Sequence, residues 1–175
     1  MSHIPPLVNG DTYATLRAYF NGLYDDVAVI NDIITKHDVT SKTVSSITTA
    51  NLFNIEDGPI EVIDIIGFIT TVIAAGANNT KLVYTSTGGA AIDLCAVANI
   101  ASTAVRKNLS ITGVKANALQ VSADDGVTVR VLGSVAHVIL QPGIISMNCL
   151  STTTGAIKWD LLYEPINVSA TVTAL

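Results

Sequence analysis

Hydrophobic and polar positions follow two different periods along this chain. In the stretch YATLRAYFNGLYDDVAVINDIITKH, Tyr13, Leu16, Phe20, Leu23, Val27, Ile30 and Ile34 succeed one another at alternating steps of three and four. This is the a and d spacing of a coiled-coil seam. Arg17, Asn21, Asp25, Asp26, Asn31, Asp32 and Lys36 fall off the seam, where a helix meets solvent. The pattern predicts a helix over residues 11–38, capped by Asp11 or Thr12 and roughly 39 Å long. Gly22 weakens its middle by about 1 kcal/mol relative to alanine, so the helix needs its apolar stripe buried.

What buries the stripe is left open by the pattern. Tyr, Phe, Val and Ile at a, with Leu, Leu and Ile at d, favour a three-stranded bundle, whose helices are parallel if it closes by rotation about one axis. Tyr19, Tyr24, Val29 and Ile33 broaden the stripe, so a dimer, or packing on the chain's own β domain, are the alternatives. Ahead of the helix, residues 1–10 contain Pro5-Pro6 and Asn9-Gly10 and read as an extended arm. Residues 39–49, rich in Ser and Thr, lose the heptad and read as a linker or an extended strand.

From Ala50 onward the period changes to that of β structure. ANLFNI runs into the turn EDGP, and IEVIDIIGFITTVIA reads as two strand-length pieces bending at Gly67. KLVYTS, AIDLCAVA, LSIT, ALQVSA, VTVRVLGSVAHVIL, IISMNCLS, AIKWDLLYE and ATVTAL follow, separated by Gly, Pro, Asp and Thr turns. Short strands at this spacing, with no amphipathic helix between them, predict a mainly β fold: an antiparallel, jelly-roll-like β-sandwich over residues 50–175. VIDIIGFI and AIDLCAVA are apolar on both parities. Strands of that kind are buried on both faces, by neighbouring subunits or under long loops.

Composition sharpens the expectation of assembly. Apolar residues make up 49% of the 175 positions and charged residues 13%, with a mean hydropathy of +0.50. Such a surface is easier to understand if part of it is hidden in subunit contacts. The net charge is −5, and the nine Lys and Arg residues are scattered, with only Arg106-Lys107 adjacent. No basic face is available for nucleic acid. The most apolar run, from Val62 to Ala77, is too short for a membrane span and carries Asp64 and Gly67. No secretory pattern opens MSHIPPLVNG, which predicts a chain made and assembled in a cytoplasm.

Candidate chemistry is sparse. His3, His37 and His137 share no metal-ligand spacing, and no nucleotide, hydrolase or zinc-protease motif is present. Neither a catalytic site nor a cofactor is expected. Asp25-Asp26, Glu56-Asp57 and Asp124-Asp125 have turn or solvation roles and lack the alternating oxygens of a calcium loop. Cys95 and Cys149 sit in apolar strands, as buried free thiols or as one bridge. Trp159 and Tyr163, at i and i+4, share one face of a strand and serve either the core or a sugar platform.

The stretch ILQPGIISMNCLSTTTGAIKWDLLYEPINVSATVTAL resembles the C-terminal part of small β-sandwich proteins of tailed-bacteriophage virions: a turn at Pro142-Gly143, an apolar strand ending at a Thr-Gly turn, a K-W strand, a Y-x-P step and a short final strand. LFNIEDGPIEVIDIIGFITTVI and KLVYTSTGGAAIDLCAVANI resemble the matching first half. The ending Asn167-Val168-Ser169 departs from the more Gly-rich ending of that pattern. The resemblance implies a structural role in the virion: a capsid decoration or cement protein, a head fibre or a tail component. Combined with the heptad, it leads to the expectation of a homotrimer on the outside of the head, contacting the major capsid protein or another virion protein. Ile4, Pro5, Pro6 and Leu7 would form an arm that adds to a sheet edge of the shell. A receptor-binding or adhesion module of a tail or head fibre is the alternative.

Overall fold

The computed structural model describes residues 38–126 and 138–175. The expected arm (residues 1–10), the heptad seam from Tyr13 to Ile34 and the anchoring residues Ile4, Pro5, Pro6 and Leu7 lie outside the described residues. So does the whole of VTVRVLGSVAH, residues 127–137.

The described chain is mainly β. In order it forms β1 (Asp38–Val44), β2 (Ala50–Glu56), β3 (Ile60–Thr71), β4 (Asn79–Ser86), β5 (Ala91–Asp93), β6 (Ala98–Asn99), β7 (Asn108–Ser110), β8 (Gln120–Val121), β9 (Val138–Leu140), β10 (Gly143–Cys149), β11 (Ala156–Pro165) and β12 (Thr171–Ala174). Two antiparallel sheets result. Sheet I runs β1-β11-β3-β7-β8, with β9 also paired to β3. Sheet II runs β12-β2-β10-β4-β5, with β6 also paired to β4. From β1 to β4 and from β9 to β12 successive strands alternate between sheets: β1, β3, β9 and β11 belong to one, and β2, β4, β10 and β12 to the other.

Alternation of side chains explains why the two sheets share one core. In β11, Ile157, Trp159, Leu161 and Tyr163 are buried while Lys158, Asp160 and Leu162 between them are only half-buried. Val62, Ile65 and Ile69 of β3, Val44 of β1, and Phe53, Ile55, Leu82, Ile145 and Met147 of sheet II complete the same apolar cluster. Trp159 lies opposite Gly67. A Cβ at that glycine would sit 2.9 Å from the indole Cζ3 and 3.0 Å from Ile157 Cγ2. Gly67 is therefore where the tryptophan ring lies against the backbone, and β3 runs through it unbroken for twelve residues. The expected bend at Gly67 is absent. The irregularities fall on either side of it, as register shifts between Leu162 and Tyr163 and between Ala156 and Ile157.

The boundary of the β domain also moves. Residue 38, expected to end the helix, opens β1, and residues 38–44 pair with β11 along their whole length, from Asp38 opposite Tyr163 to Val44 opposite Ile157. Of the expected linker 39–49, the first part is thus the edge strand of sheet I. Ile47, further on, is fully buried and exchanges backbone hydrogen bonds with Thr153, each 2.9 Å. Serine and threonine tolerate a strand as readily as a linker, and only burial against β11 decides between them.

Loops close the two ends of the fold with backbone hydrogen bonds. At one end Ile73 N–H bonds to Thr103 and Ala74 N–H to Thr154, each at 3.0 Å. At the other, Thr87 N–H bonds to Pro142 and Ile166 N–H to Pro59, also at 3.0 Å. Asn167 and Ser169 bind the EDGP turn: Ser169 Oγ donates to the Asp57 carbonyl at 2.8 Å and Asn167 Nδ2 at 3.4 Å. Asp57 itself has φ 61°, a left-handed conformation that aspartate tolerates better than most residues. The departure from a Gly-rich ending thus supplies the side chains that hold this turn, and β12 forms and pairs with β2.

Candidate interaction surface

The outward faces of the two sheets are the surfaces turned away from the shared core, and register assigns their residues. On sheet I, Val39, Leu162 and Asp64 lie in one row across β1, β11 and β3. The next row is Ser41, Asp160, Ile66 and Ser110; the one after is Thr43, Lys158, Phe68 and Asn108. At the far end Glu61 faces Ile139 of β9. Val39 and Ile139 are 59% and 58% exposed, and Leu162, Ile66 and Phe68 between them are half-buried. Asp64 is 4% exposed.

Polar contacts on this face are local. Ser41 Oγ donates to Asp160 Oδ1 at 2.6 Å, and Lys158 Nζ lies 3.1 Å from the same oxygen. Exposed pairs of this kind contribute little to stability, about 0–1 kcal/mol. They do leave Lys158 and Asp160 paired with each other.

Sheet II presents a different chemistry. Its outward rows read Thr173, Asn54, Ile144 and Thr85, then Asn51, Ser146 and Val83, then Asn148 and Lys81. Ser146 Oγ donates to Asn51 Oδ1 at 2.9 Å. Thr49 Oγ1 donates to Asn148 Oδ1 at 3.4 Å and accepts from Cys149 N–H at 3.1 Å. Lys81 pairs with Asp93 at 2.7 Å. Amides and hydroxyls dominate, and the two large apolar residues here, Ile144 and Val83, are half-buried and buried.

Trp159 and Tyr163 do not form a platform. Trp159 is fully buried and Tyr163 is 5% exposed, both facing the core. Among the described residues the indole Nε1 has no hydrogen-bond partner, a cost accepted where the ring fills the space above Gly67.

Both cysteines are free thiols. Cys95 is fully buried, with its sulfur accepting from Leu82 N–H at 3.3 Å. Burial raises its pKa above the ordinary thiol range. Cys149 Sγ lies 3.3 Å from Thr80 Oγ1, and burial raises its pKa too. A thiol held protonated is a poor nucleophile and a poor metal ligand. Tyr84, whose hydroxyl donates to the Gln141 carbonyl at 2.8 Å, is likewise raised by burial.

The acidic doublets take turn and pairing roles. Glu56-Asp57 opens the turn bound by Ser169, and Asp125 pairs with Lys107 at 3.1 Å, while Lys107 also donates to the Ala123 carbonyl. Asp25-Asp26 and the three histidines lie outside the described residues. Among the described residues no three His, Cys, Asp or Glu side chains are grouped to hold a metal ion. Also among them, no helix is long and apolar enough to cross a membrane. The apolar run beginning at Val62 is instead the central strand of sheet I.

Sequence reasoning named the N-terminal residues as the contact surface and did not single out Val39, Ile66, Leu162 and Ile139. The signal available for them was the double-parity apolarity of VIDIIGFI. Comparisons of the chain with family models, with curated proteins and with solved structures find no match.

Proposed function

We propose that this chain is a non-enzymatic structural protein of a bacteriophage virion, a homotrimeric capsid decoration or cement protein attached to the outside of the head. The virion assignment rests on the resemblance of residues 50–175. What supports an assembly role more directly is one observation: sheet I carries exposed and half-exposed apolar side chains on the side away from its core, as a surface meant for a partner does. The crossing of the chain from one sheet to the other along β1, β2, β3 and β4, and again along β9, β10, β11 and β12, supports a jelly-roll reading of the two sheets. Such a domain is rigid, and its loop ends here are tied by backbone hydrogen bonds. The seam from Tyr13 to Ile34 would join three chains, and the arm containing Ile4, Pro5, Pro6 and Leu7 would add to a shell sheet edge. Three weak attachments then act together.

The adhesion alternative loses its expected aromatic platform, since Trp159 and Tyr163 face inward. The test compares the full chain with one that begins at Asp38, so that β1 stays intact. Light scattering should give three times the chain mass for the first and a folded monomer for the second. Only the first should co-sediment with heads stripped of their decoration. A shortened trimer that still binds heads would overturn the division of labour, and a monomeric full chain would remove the trimer.

A further inference from the structure

We propose that Asp57-Gly58, in the turn between β2 and β3, is a site of self-modification: the fold promotes closure of Asp57 onto the Gly58 nitrogen to a succinimide, which water then opens to isoaspartate. The inference is independent of the virion reading.

The covalent step involves only this pair and water. Gly58 N gives up its proton and forms a bond to Cγ of the Asp57 carboxylic acid, whose hydroxyl takes a proton and leaves as water. The resulting ring has lost the mass of one water. Water then adds to one of its two carbonyls. Opening at Cγ restores aspartate. Opening at the main-chain carbonyl leaves the backbone running through Cβ and Cγ, with the α-carboxylate free.

Two Asp-Gly pairs stand among the described residues, and the fold treats them oppositely. At Asp125-Gly126 both reacting groups are engaged. Gly126 N–H bonds to the Arg106 carbonyl at 2.6 Å, and the Asp125 carboxylate pairs with Lys107 at 3.1 Å. At Asp57-Gly58 both are open to react. Asp57 is exposed, and neither its carboxylate nor the Gly58 N–H has a hydrogen-bond or ion-pair partner among the described residues.

The amide to be ionised is also already supported. Taking the proton from Gly58 N–H places negative charge on the oxygen of the same amide, which is the Asp57 carbonyl oxygen. Two donors stand at it, Ser169 Oγ at 2.8 Å and Asn167 Nδ2 at 3.4 Å. The single Ser169 hydroxyl proton has a second acceptor in Asn167 Oδ1, and charge growing on the carbonyl oxygen draws it there. Ser169 N–H donates to Asn167 Oδ1 at 2.7 Å, so the donor pair is held before that charge develops. Donors fixed in advance around a developing oxyanion lower the cost of forming it. Glycine is what lets them approach: a Cβ at position 58 would lie 2.5 Å from Asn167 Nδ2.

Exposure to water weakens each donor, so the expected acceleration is about tenfold, against about a hundredfold or more in a buried oxyanion site. Isoaspartate adds one atom to the backbone where the chain passes from sheet II to sheet I, beside Pro59, whose carbonyl accepts from Ile166 N–H. The turn therefore alters with the age of the molecule.

The experiment ages the full chain at mildly acidic pH, where carboxylic acids form, and reads both pairs by peptide mass spectrometry with fragmentation that separates aspartate from isoaspartate. Native protein is compared with the same chain in urea, with Ser169→Ala and with Ser169→Thr, and circular dichroism checks that the variants fold. The expected result is loss of one water and then isoaspartate at Asp57, about tenfold faster than at Asp125 and faster in the folded chain than in urea. Ser169→Ala should slow conversion at Asp57 severalfold and leave Asp125 unchanged, while Ser169→Thr, which keeps the hydroxyl, should stay near the native rate. Equal rates at the two pairs, or no conversion at Asp57, overturn the proposal. So does faster conversion in urea or in Ser169→Ala, which would make the turn a protection. If the variants do not fold, the native comparisons between the two pairs, and between folded and unfolded chain, still decide it.

Discussion

The outward faces of the two sheets are built from the same kind of strand and differ in what they offer a partner. Sheet I shows Val39, Leu162, Ile66, Phe68 and Ile139 among its charges, whereas sheet II shows Asn51, Asn54, Asn148, Ser146, Thr85 and Thr173. Burying amides and hydroxyls requires a hydrogen bond for each of them, while burying aliphatic side chains gains about 25 cal/mol per Å². Covering the aliphatic side chains of sheet I would therefore cost less than covering the amides and hydroxyls of sheet II. The difference lies outside the core. Inside, both sheets contribute equally apolar residues to one cluster.

The contrast between faces can be broken from within. Trp159→Ala should cost about 3–5 kcal/mol, because it removes the largest fully buried side chain and leaves a cavity against Gly67. Urea unfolding of the full chain would read it. A loss under 1 kcal/mol would mean that the ring does not join the sheets. Gly67→Ala acts in the opposite sense, by adding a methyl group where none fits. A cost of about 1–3 kcal/mol is expected. The double variant Gly67→Ala with Trp159→Phe should recover part of it, since the smaller ring releases the contact.

The smallest effect separates sheets by pH. Cys95 and Cys149 both flank β4 of sheet II and both have thiol pKa values raised by burial. Unfolded thiols ionise near pH 8.5, so above that pH the unfolded state binds fewer protons than the folded one. Stability present below that point should then decline as pH rises towards the folded values. Replacing both cysteines by serine or alanine should flatten the decline between pH 8 and 10, measured by denaturant midpoint. An unchanged slope would assign it to other groups, such as Tyr84.

Legibility in the sequence varied with how local the signal was. The turns at EDGP and TGGA, and the strands ANLFNI, KLVYTS, IISMNCLS and AIKWDLLYE, were readable because period and turn residues act within a few positions. β1 was not, since Ser and Thr are indifferent there and its partner β11 lies over a hundred residues away, as the Ser41–Asp160 bond shows. Gly67 carried a strand-breaking signal that was misread. A glycine that bends a strand and one that admits a tryptophan look alike until the opposite residue is known.

The candidate surface was half legible. Apolar residues on both parities of VIDIIGFI announced a strand covered on two sides. They did not say which residues faced outward, because the register shift opposite Ile63 changes which parity points away from the core. The sequence by itself determined a β domain of short strands, a heptad pattern ahead of it and the lack of a disulfide scaffold, all of them consequences of local spacing and composition. Only the tertiary structure decided that β1 belongs to the domain, that Trp159 is inside and that sheet I carries the apolar outward face, because each depends on which distant strand lies opposite.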